Sequence, residues 1–232
     1  MMELDIVPEL LENIQKDFNK NVNSSNKLKR LAELVSKGNA SYSHANEYAI
    51  ELGELLAETF KKFITAEALP DGRMYFNIAE RILNDTLKNN HILVSAVTTE
   101  IQSELNIKSG FKIKGIAPVI KQDRIDGIIN RVSLEESFED VQWILGEPIV
   151  NFTQSVVDDA IQENAEFHFK SGMYPTITRT VDSAKACDWC KSVAGVFKYP
   201  DVPEDVYRRH ERCRCTVEYD PGDNKKKNIW AK

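Results

Sequence analysis

Cysteine, glycine and proline are scarce in this chain of 232 residues, and long apolar runs without charge are missing. Four cysteines are far too few for a disulfide-stapled mini-protein, and 10 glycines with 8 prolines exclude a collagen-like or loop-dominated chain. No uncharged apolar run approaches the roughly 18 residues that a membrane-spanning helix needs. The acidic opening segment also lacks the basic and apolar regions of a secretory signal. We therefore expect a protein with an apolar core that is made and kept in the cytosol, without membrane contact.

Negative charge is in excess, but it is spread unevenly along the chain. The formal net charge is −6, made up of −4 for residues 1–110, −5 for residues 111–175 and +3 for residues 176–232. Binding to phosphates depends on clustered lysine and arginine, so the acidic body argues against an extended nucleic-acid surface there. Only the last quarter of the chain could touch DNA, although its charge is also ordinary for a solvated surface.

Helical periodicity dominates the first two thirds of the sequence. Apolar residues recur every three or four positions in five stretches, which predicts five amphipathic helices. The stretches are Leu10–Phe18, Leu28–Val35, Ser43–Ile64, Tyr75–Leu87 and Val94–Leu105. We expect Gly38 to end the second helix, and the pair Asn89-Asn90 to break the last two apart.

The pattern changes in the second half of the chain. It loosens between Asn106 and Glu147, where Phe111 and Ile113 alternate with lysines and give a short strand signal. Pro148 suits the first turn of a long helix that should stop at Ser171-Gly172. Beyond that point, β-branched residues at 176–181 and 216–217 indicate small strands.

The sequence thus predicts a mainly α protein, with a helical body followed by a small α+β Cys/His module. We expect three parts. They are a helical body (1–105), a connecting region with a long helix (106–175), and a Cys/His module with a basic tail (176–232).

All four cysteines fall within 29 residues, close to one histidine. Cys187 and Cys190 have the spacing that lets two thiolates from one turn bind a single Zn²⁺, while Cys213 and Cys215 would point to the same side of an extended segment. His210 is a competing fifth donor. A closed zinc site takes four ligands, so one of His210, Cys213 and Cys215 should be spare. Two disulfides, or four plain thiols, are the alternatives to a structural zinc site.

Catalytic motifs are incomplete. The segment Gly110–Ala117 has phosphate-loop glycine spacing but ends in Ile116-Ala117 where that loop needs Lys and Ser or Thr, and no GxGxxG, HExxH or GxSxG string occurs. His44, His91 and His168 have no acidic or cysteine neighbour at ligand spacing. A site with many soft ligands is typically closed to water, so we expect a protein that is not an enzyme.

The segment from Thr180 to Asp223, which contains CDWC, KSVAG, YRRH and CRC, resembles the C-terminal signature of a phage family. This is the Mu F-like head morphogenesis family of tailed-phage minor head proteins, in which Cys-x-x-Cys is followed by a Gly and aromatic segment and by His-x-x-Cys-x-Cys. The resemblance covers roughly residues 176–230. This chain carries Glu211-Arg212 where the family often has Pro-Asn.

The resemblance implies a low-copy structural protein of the phage head. Such a protein is built in the host cytoplasm, associates with the portal protein and other head proteins of the procapsid, and enters the virion. Its role would lie in head assembly and in genome packaging or delivery.

Two other functions are weighed against this one. Arg208, Arg209, Arg212 and Arg214, with the lysine run 225–227, could make the module a zinc-containing nucleic-acid-binding unit whose affinity falls with salt. A metalloenzyme such as a nuclease is the third possibility, and His210 would be its only histidine in the last 60 residues.

Overall fold

Helices make up most of residues 5–222, the part of the chain that the computed structural model describes. The helices are α1 (Val7–Ser24), α2 (Asn26–Ser36), α3 (Tyr42–Phe63), α4 (Phe76–Lys108), α5 (Gln122–Val132), α6 (Phe138–Val141), α7 (Glu147–Lys170) and α8 (Asp188–Ser192). The strands are β1 (Thr176–Thr180), β2 (Gly195–Lys198) and β3 (Thr216–Asp220). The prediction of a mainly α protein with a small C-terminal sheet is confirmed. The lysine run 225–227 of the predicted basic tail lies outside the described residues.

The ends of several helices follow from local chemistry. The Ser25 hydroxyl accepts a hydrogen bond from the Leu28 N–H and so caps α2. Ser41 and His44 form a reciprocal capping box at the start of α3. Gly38 and Gly172 follow α2 and α7 with φ of 65° and 85°, a conformation that glycine adopts without steric cost. Both predicted stops are therefore confirmed.

Helix α3 lies at the centre of the fold. It packs against α7 along much of its length and also contacts α1, α2, α4 and β3. Gly53 allows the close approach of α7, because a Cβ atom placed there would lie 2.8 Å from the Val150 Cα. The buried side chains of α3, among them Leu52, Leu56 and Phe60, form one core with those of α7.

The sheet joins this core directly. Its antiparallel strand order is β2-β1-β3, with Ile177 of β1 opposite Phe197 of β2 and Tyr219 of β3. β3 packs on both α3 and α7. Ile177, Val217 and Tyr219 are buried in the same apolar cluster as the helices. The polypeptide that carries the cysteines is thus attached to the helical body by continuous packing.

Two local predictions are wrong. Asn89-Asn90 does not interrupt α4, because the buried Asn90 Nδ2 donates a 2.7 Å hydrogen bond to the Thr153 hydroxyl of α7, which gives the amide nitrogen a partner inside the core. The expected strand near Phe111 is an irregular segment instead. Its backbone is hydrogen-bonded to an asparagine side chain instead of to a neighbouring strand. The Ile116 N–H donates to Asn164 Oδ1, and Asn164 Nδ2 donates to the Ile116 carbonyl, both at 2.9 Å.

The structure adds α5 within the predicted connecting region. Its apolar face buries Ile125, Ile129 and Val132. Within residues 5–222, no helix combines the length and the apolar character needed to cross a membrane.

The close approach of α3 and α7 gives a test of this packing. Gly53→Ala should lower the free energy of unfolding by about 1–3 kcal/mol, because the added methyl group overpacks a backbone contact. Gly127→Ala is the matched control, since a Cβ at that position of α5 meets no atom within 4 Å. It should stabilise by up to about 1 kcal/mol through helix propensity. Urea unfolding of both variants measures the change in the free energy of unfolding. If Gly53→Ala stabilises the protein as much as Gly127→Ala does, the close contact of α3 with α7 is contradicted.

Candidate metal centre

The Cys187-x-x-Cys190 pair is shaped by the short helix α8. Cys187 is the N-cap residue of α8, and its Sγ accepts a 3.3 Å hydrogen bond from the Cys190 N–H. This turn brings both sulfur atoms to one side, which is how two thiolates from one segment share a metal. Cys213 and Cys215 immediately precede β3, and Arg212 before them adopts a φ of 58° that turns the chain into this segment.

The five predicted ligands meet around Cys190. Its Sγ lies 2.9 Å from His210 Nε2, 3.9 Å from Cys213 Sγ and 3.2 Å from Cys215 Sγ. Cys187 Sγ is 3.3 Å from the same His210 Nε2. The donor atoms form two overlapping triads that share Cys190, one with Cys187 and His210 and one with Cys213 and Cys215. The structure brings together all five residues, and the cluster could hold a metal ion.

The spacings suit a small tetrahedral ion. With Zn–S bonds of about 2.3 Å, two sulfur ligands of a tetrahedral zinc lie about 3.8 Å apart. The 3.9 Å between Cys190 and Cys213 matches this value, while the 3.2 Å between Cys190 and Cys215 is too short. The thiolate and imidazole donors suit zinc chemically, but within the described residues only three of them at a time lie within 4.8 Å of one another, so a four-coordinate site needs the two triads to move closer together.

The orientation of His210 is set from outside the cluster. Its Nδ1 lies 2.6 Å from the carbonyl oxygen of Glu211, an arrangement that places the proton on Nδ1. Nε2 is then left with a free electron pair directed at the sulfur atoms of Cys187 and Cys190. The Trp189 ring packs edge-on against the imidazole with 5.5 Å between centroids. This is the usual way in which a histidine ligand is held.

The thiols differ in acidity. A hydrogen bond from the Cys215 side chain lowers the pKa of Cys213 to about 4, with smaller contributions from the Cys215 backbone N–H and the guanidinium groups of Arg209 and Arg179. Desolvation raises the pKa of Cys190. Cys213 is therefore favoured over Cys190 as a thiolate, and the thiolate is the form that binds metals.

A buried arginine lies behind the cluster. Arg179 of β1 is 1% exposed, and its Nη1 donates to the carbonyl oxygens of Val206 and Arg208 at 2.6 and 2.9 Å. Its Nη2 lies 3.5 Å from Cys213 Sγ, and its guanidinium stacks on Trp189 at 5.4 Å. Arg179 thus ties β1 to both sides of the ligand-bearing loop and places a cation beside a thiolate.

A second buried arginine ties the loop to α7. Arg209 donates to both carboxylate oxygens of Asp158, at 2.5 and 2.8 Å, and its Nη1 donates to the Cys215 carbonyl at 2.9 Å. The Arg209 and Asp158 side chains are 3% and 1% exposed. Burial raises the pKa of Asp158, and the adjacent Arg209 opposes that shift. The pair therefore depends on both of its members being present.

These contacts bear on the four arginines of the nucleic-acid alternative. Arg209 is buried against Asp158, and Arg214 pairs with Glu147 and Glu54 of the helical body. Arg208 pairs with Glu204 and Asp205 on an exposed turn, and Arg212 is 82% exposed beside Glu211. Arg209 and Arg214 therefore bind carboxylates of the helical body. They are not free to bind phosphates, which weakens the nucleic-acid alternative.

The three remaining histidines take structural positions. His44 belongs to the capping box of α3. His168 is buried, with Nδ1 against the Tyr219 hydroxyl, and burial lowers its pKa. His91 is buried on α4, and burial lowers its pKa as well.

Arg179, Asp158 and the role of Arg209 are not among the residues predicted from the sequence. Their signals are visible in the sequence. Arg179 follows Ile177 by two positions, and side chains two apart in a strand lie on the same face. Arg179 is therefore placed on the buried face of β1 with Ile177. Asp158 follows Val156 and Val157 within an apolar stretch, and a carboxylate in such a place needs a cationic partner.

Comparison of the chain with protein-family models, with curated proteins and with solved structures finds no match. The functional argument therefore rests on the chemistry of the cluster itself. Its donors are soft sulfur atoms and one imidazole, gathered on a loop that two buried arginines hold in place.

The buried ion pair gives a test of how the loop is held. Asp158→Leu should lower the free energy of unfolding by about 3–5 kcal/mol, because it leaves the Arg209 guanidinium buried without a counter-charge. The double variant Asp158→Leu with Arg209→Met should recover much of that loss, which a double-mutant cycle in urea quantifies.

The exposed pair Lys37–Glu33 is the control for this cycle. Glu33→Ala should cost no more than about 0.5 kcal/mol, as is usual for a surface pair one helical turn apart. If Asp158→Leu costs as little as the surface change, the ion pair does not hold the loop.

Proposed function

We propose that the protein is a non-enzymatic minor capsid protein of a tailed bacteriophage, and that a structural Zn²⁺ stabilises its C-terminal module. The observation that carries the proposal is the Cys187-x-x-Cys190, His210-x-x-Cys213-x-Cys215 pattern, which resembles the signature of the phage head family. Support comes from the geometry, because the same five residues form one cluster that could hold a metal ion.

Zinc is the metal that best suits the donors. Thiolate and imidazole ligands together select Zn²⁺ over the oxygen-preferring Mg²⁺ and Ca²⁺. We assign Cys187, Cys190, His210 and Cys213 as the four ligands, since the first three form one triad and the Cys190–Cys213 distance fits a tetrahedral site. Metal binding would then draw Cys213 towards the triad of Cys187, Cys190 and His210. Cys215 is then the spare thiol beside the metal. Zinc would supply a cross-link between α8 and the segment that leads into β3.

A structural role follows from this ligand set. Four protein ligands fill a tetrahedral zinc and leave no position for water or substrate. The buried carboxylate of Asp158 is occupied by Arg209, so it does not offer a general base. The chemistry of the cluster therefore favours stabilisation over turnover.

The proposed place of action is the phage head. We infer that the protein is made in the host cytoplasm, contacts the portal protein and other head proteins in the procapsid, and enters the virion to act in head assembly and genome packaging or delivery. The resemblance over residues 176–230 carries this part. The helical body suits such contacts because its excess negative charge disfavours extended DNA binding.

Metal content tests the zinc proposal. Protein purified under reducing conditions should contain about one equivalent of zinc by elemental analysis. Cys190→Ser should lose the metal and lower the melting temperature, because Cys190 belongs to both triads of donors. Cys215→Ser is the matched control and should retain zinc. Protein without any bound metal, or equal zinc loss in the two variants, would overturn the ligand assignment.

Virion composition tests the phage proposal. Mass spectrometry of purified procapsids and virions, from a phage that carries this gene, should detect the protein in few copies. Deletion of the gene should reduce head assembly or infectivity. The proposal fails if the protein is found only free in the lysate and at no stage bound to heads.

A further inference from the structure

A groove of about 600 Å³ lies beside the metal centre, between α5, the start of α7 and the segment 204–209. Four arginines line it, namely Arg124, Arg131, Arg208 and Arg209. None of the described residues that line the groove is acidic. A concentration of guanidinium groups in one depression of a protein with a net charge of −6 marks a place for an anionic ligand.

Not all of these arginines are paired with a carboxylate of the protein itself. Arg209 and Arg124 pair with Asp158 and Asp159 on α7. Arg131 forms no ion pair with the described residues 5–222. The pairs of Arg208 are exposed and local, and exposed pairs contribute little, so Arg208 can turn to a ligand at low cost.

The groove also offers apolar contacts and unused hydrogen-bonding groups. Trp143 is 54% exposed at its edge, and Phe152 and Ile144 line it as well. The hydroxyl of Tyr207 and the Oδ1 of Asn151 are buried and have no hydrogen-bond partner among the described residues. If either side chain rotated towards the groove, a ligand there could form a hydrogen bond with this atom. A buried polar atom without such a bond costs free energy.

We propose that this groove binds an acidic peptide segment of a partner protein, with carboxylates paired to Arg131 and Arg208 and an apolar side chain packed on Trp143. A peptide N–H is a donor that the Asn151 oxygen lacks, and an extended peptide offers one at each residue other than proline. The acidic surroundings also disfavour a long polyanion more than a short segment with a few carboxylates. The observations therefore favour a peptide over nucleic acid.

Fluorescence polarisation with the full chain under reducing conditions tests the proposal. The probe is a labelled pool of ten-residue peptides in which Asp or Glu alternates with Leu, Phe or Trp. Binding should saturate and weaken with salt, and the same pool with Asn and Gln in place of the acids should not bind. Arg131→Glu and Trp143→Ala should each weaken binding by roughly tenfold or more.

Arg30→Glu is the matched control, because it makes the same charge change at an exposed position of α2 that does not line the groove. It should change the affinity by less than about twofold. Failure of the acidic pool to bind, or equal weakening by Arg131→Glu and Arg30→Glu, would overturn the proposal. Tighter binding of a 20-nucleotide single strand, lost in Arg131→Glu, would overturn it in favour of nucleic acid. Peptide binding is measured on the purified protein, so it can fail while the virion test succeeds, and the reverse.

Discussion

The buried guanidinium of Arg209 is the contact on which the C-terminal half of the structure depends. It bonds Asp158 in the middle of α7 and the backbone carbonyl of Cys215 in the cysteine segment. Desolvating two charges is expensive, so such a pair adds little net stability, but a displaced partner leaves a buried charge. The observed position of the loop on α7 pairs both groups, and the same guanidinium bonds the Cys215 carbonyl. The ion pair therefore links the cysteine segment to α7.

The same constraint shapes the electrostatics of the cysteine cluster. Thiolates gathered in one place carry negative charge, and burial makes that charge costly. Arg179 lies against Cys213 Sγ, and Arg209 donates a hydrogen bond to the backbone carbonyl of Cys215. Both cations are held by carbonyl oxygens or by Asp158, so their charge stays in place. The cluster is thus surrounded by fixed positive charge as well as by donors.

Much of this architecture can be read from local patterns, and the rest depends on contacts between distant residues. The helical stripes, the caps and the cysteine spacing are local, and they predicted the mainly α fold and the candidate ligands. The continuity of α4 was not predictable, because the Asn90 amide nitrogen finds its partner in Thr153, 63 residues away. For Arg179 and Asp158, local patterns indicate burial but not the partner. Asp158 pairs with Arg209, 51 residues away, and Arg179 bonds to carbonyl oxygens 27 and 29 residues away, which no short window of sequence contains.

The groove and the cysteine cluster both include contacts of Arg209, so the two lie side by side. Arg209 lines the groove and also bonds the Cys215 carbonyl, while His210 follows it directly in the chain. A backbone shift at 207–210 would therefore move a groove residue and a candidate metal donor together. Closely packed segments respond as units, so a metal that ordered the cluster would also restrict the groove residues Tyr207, Arg208 and Arg209.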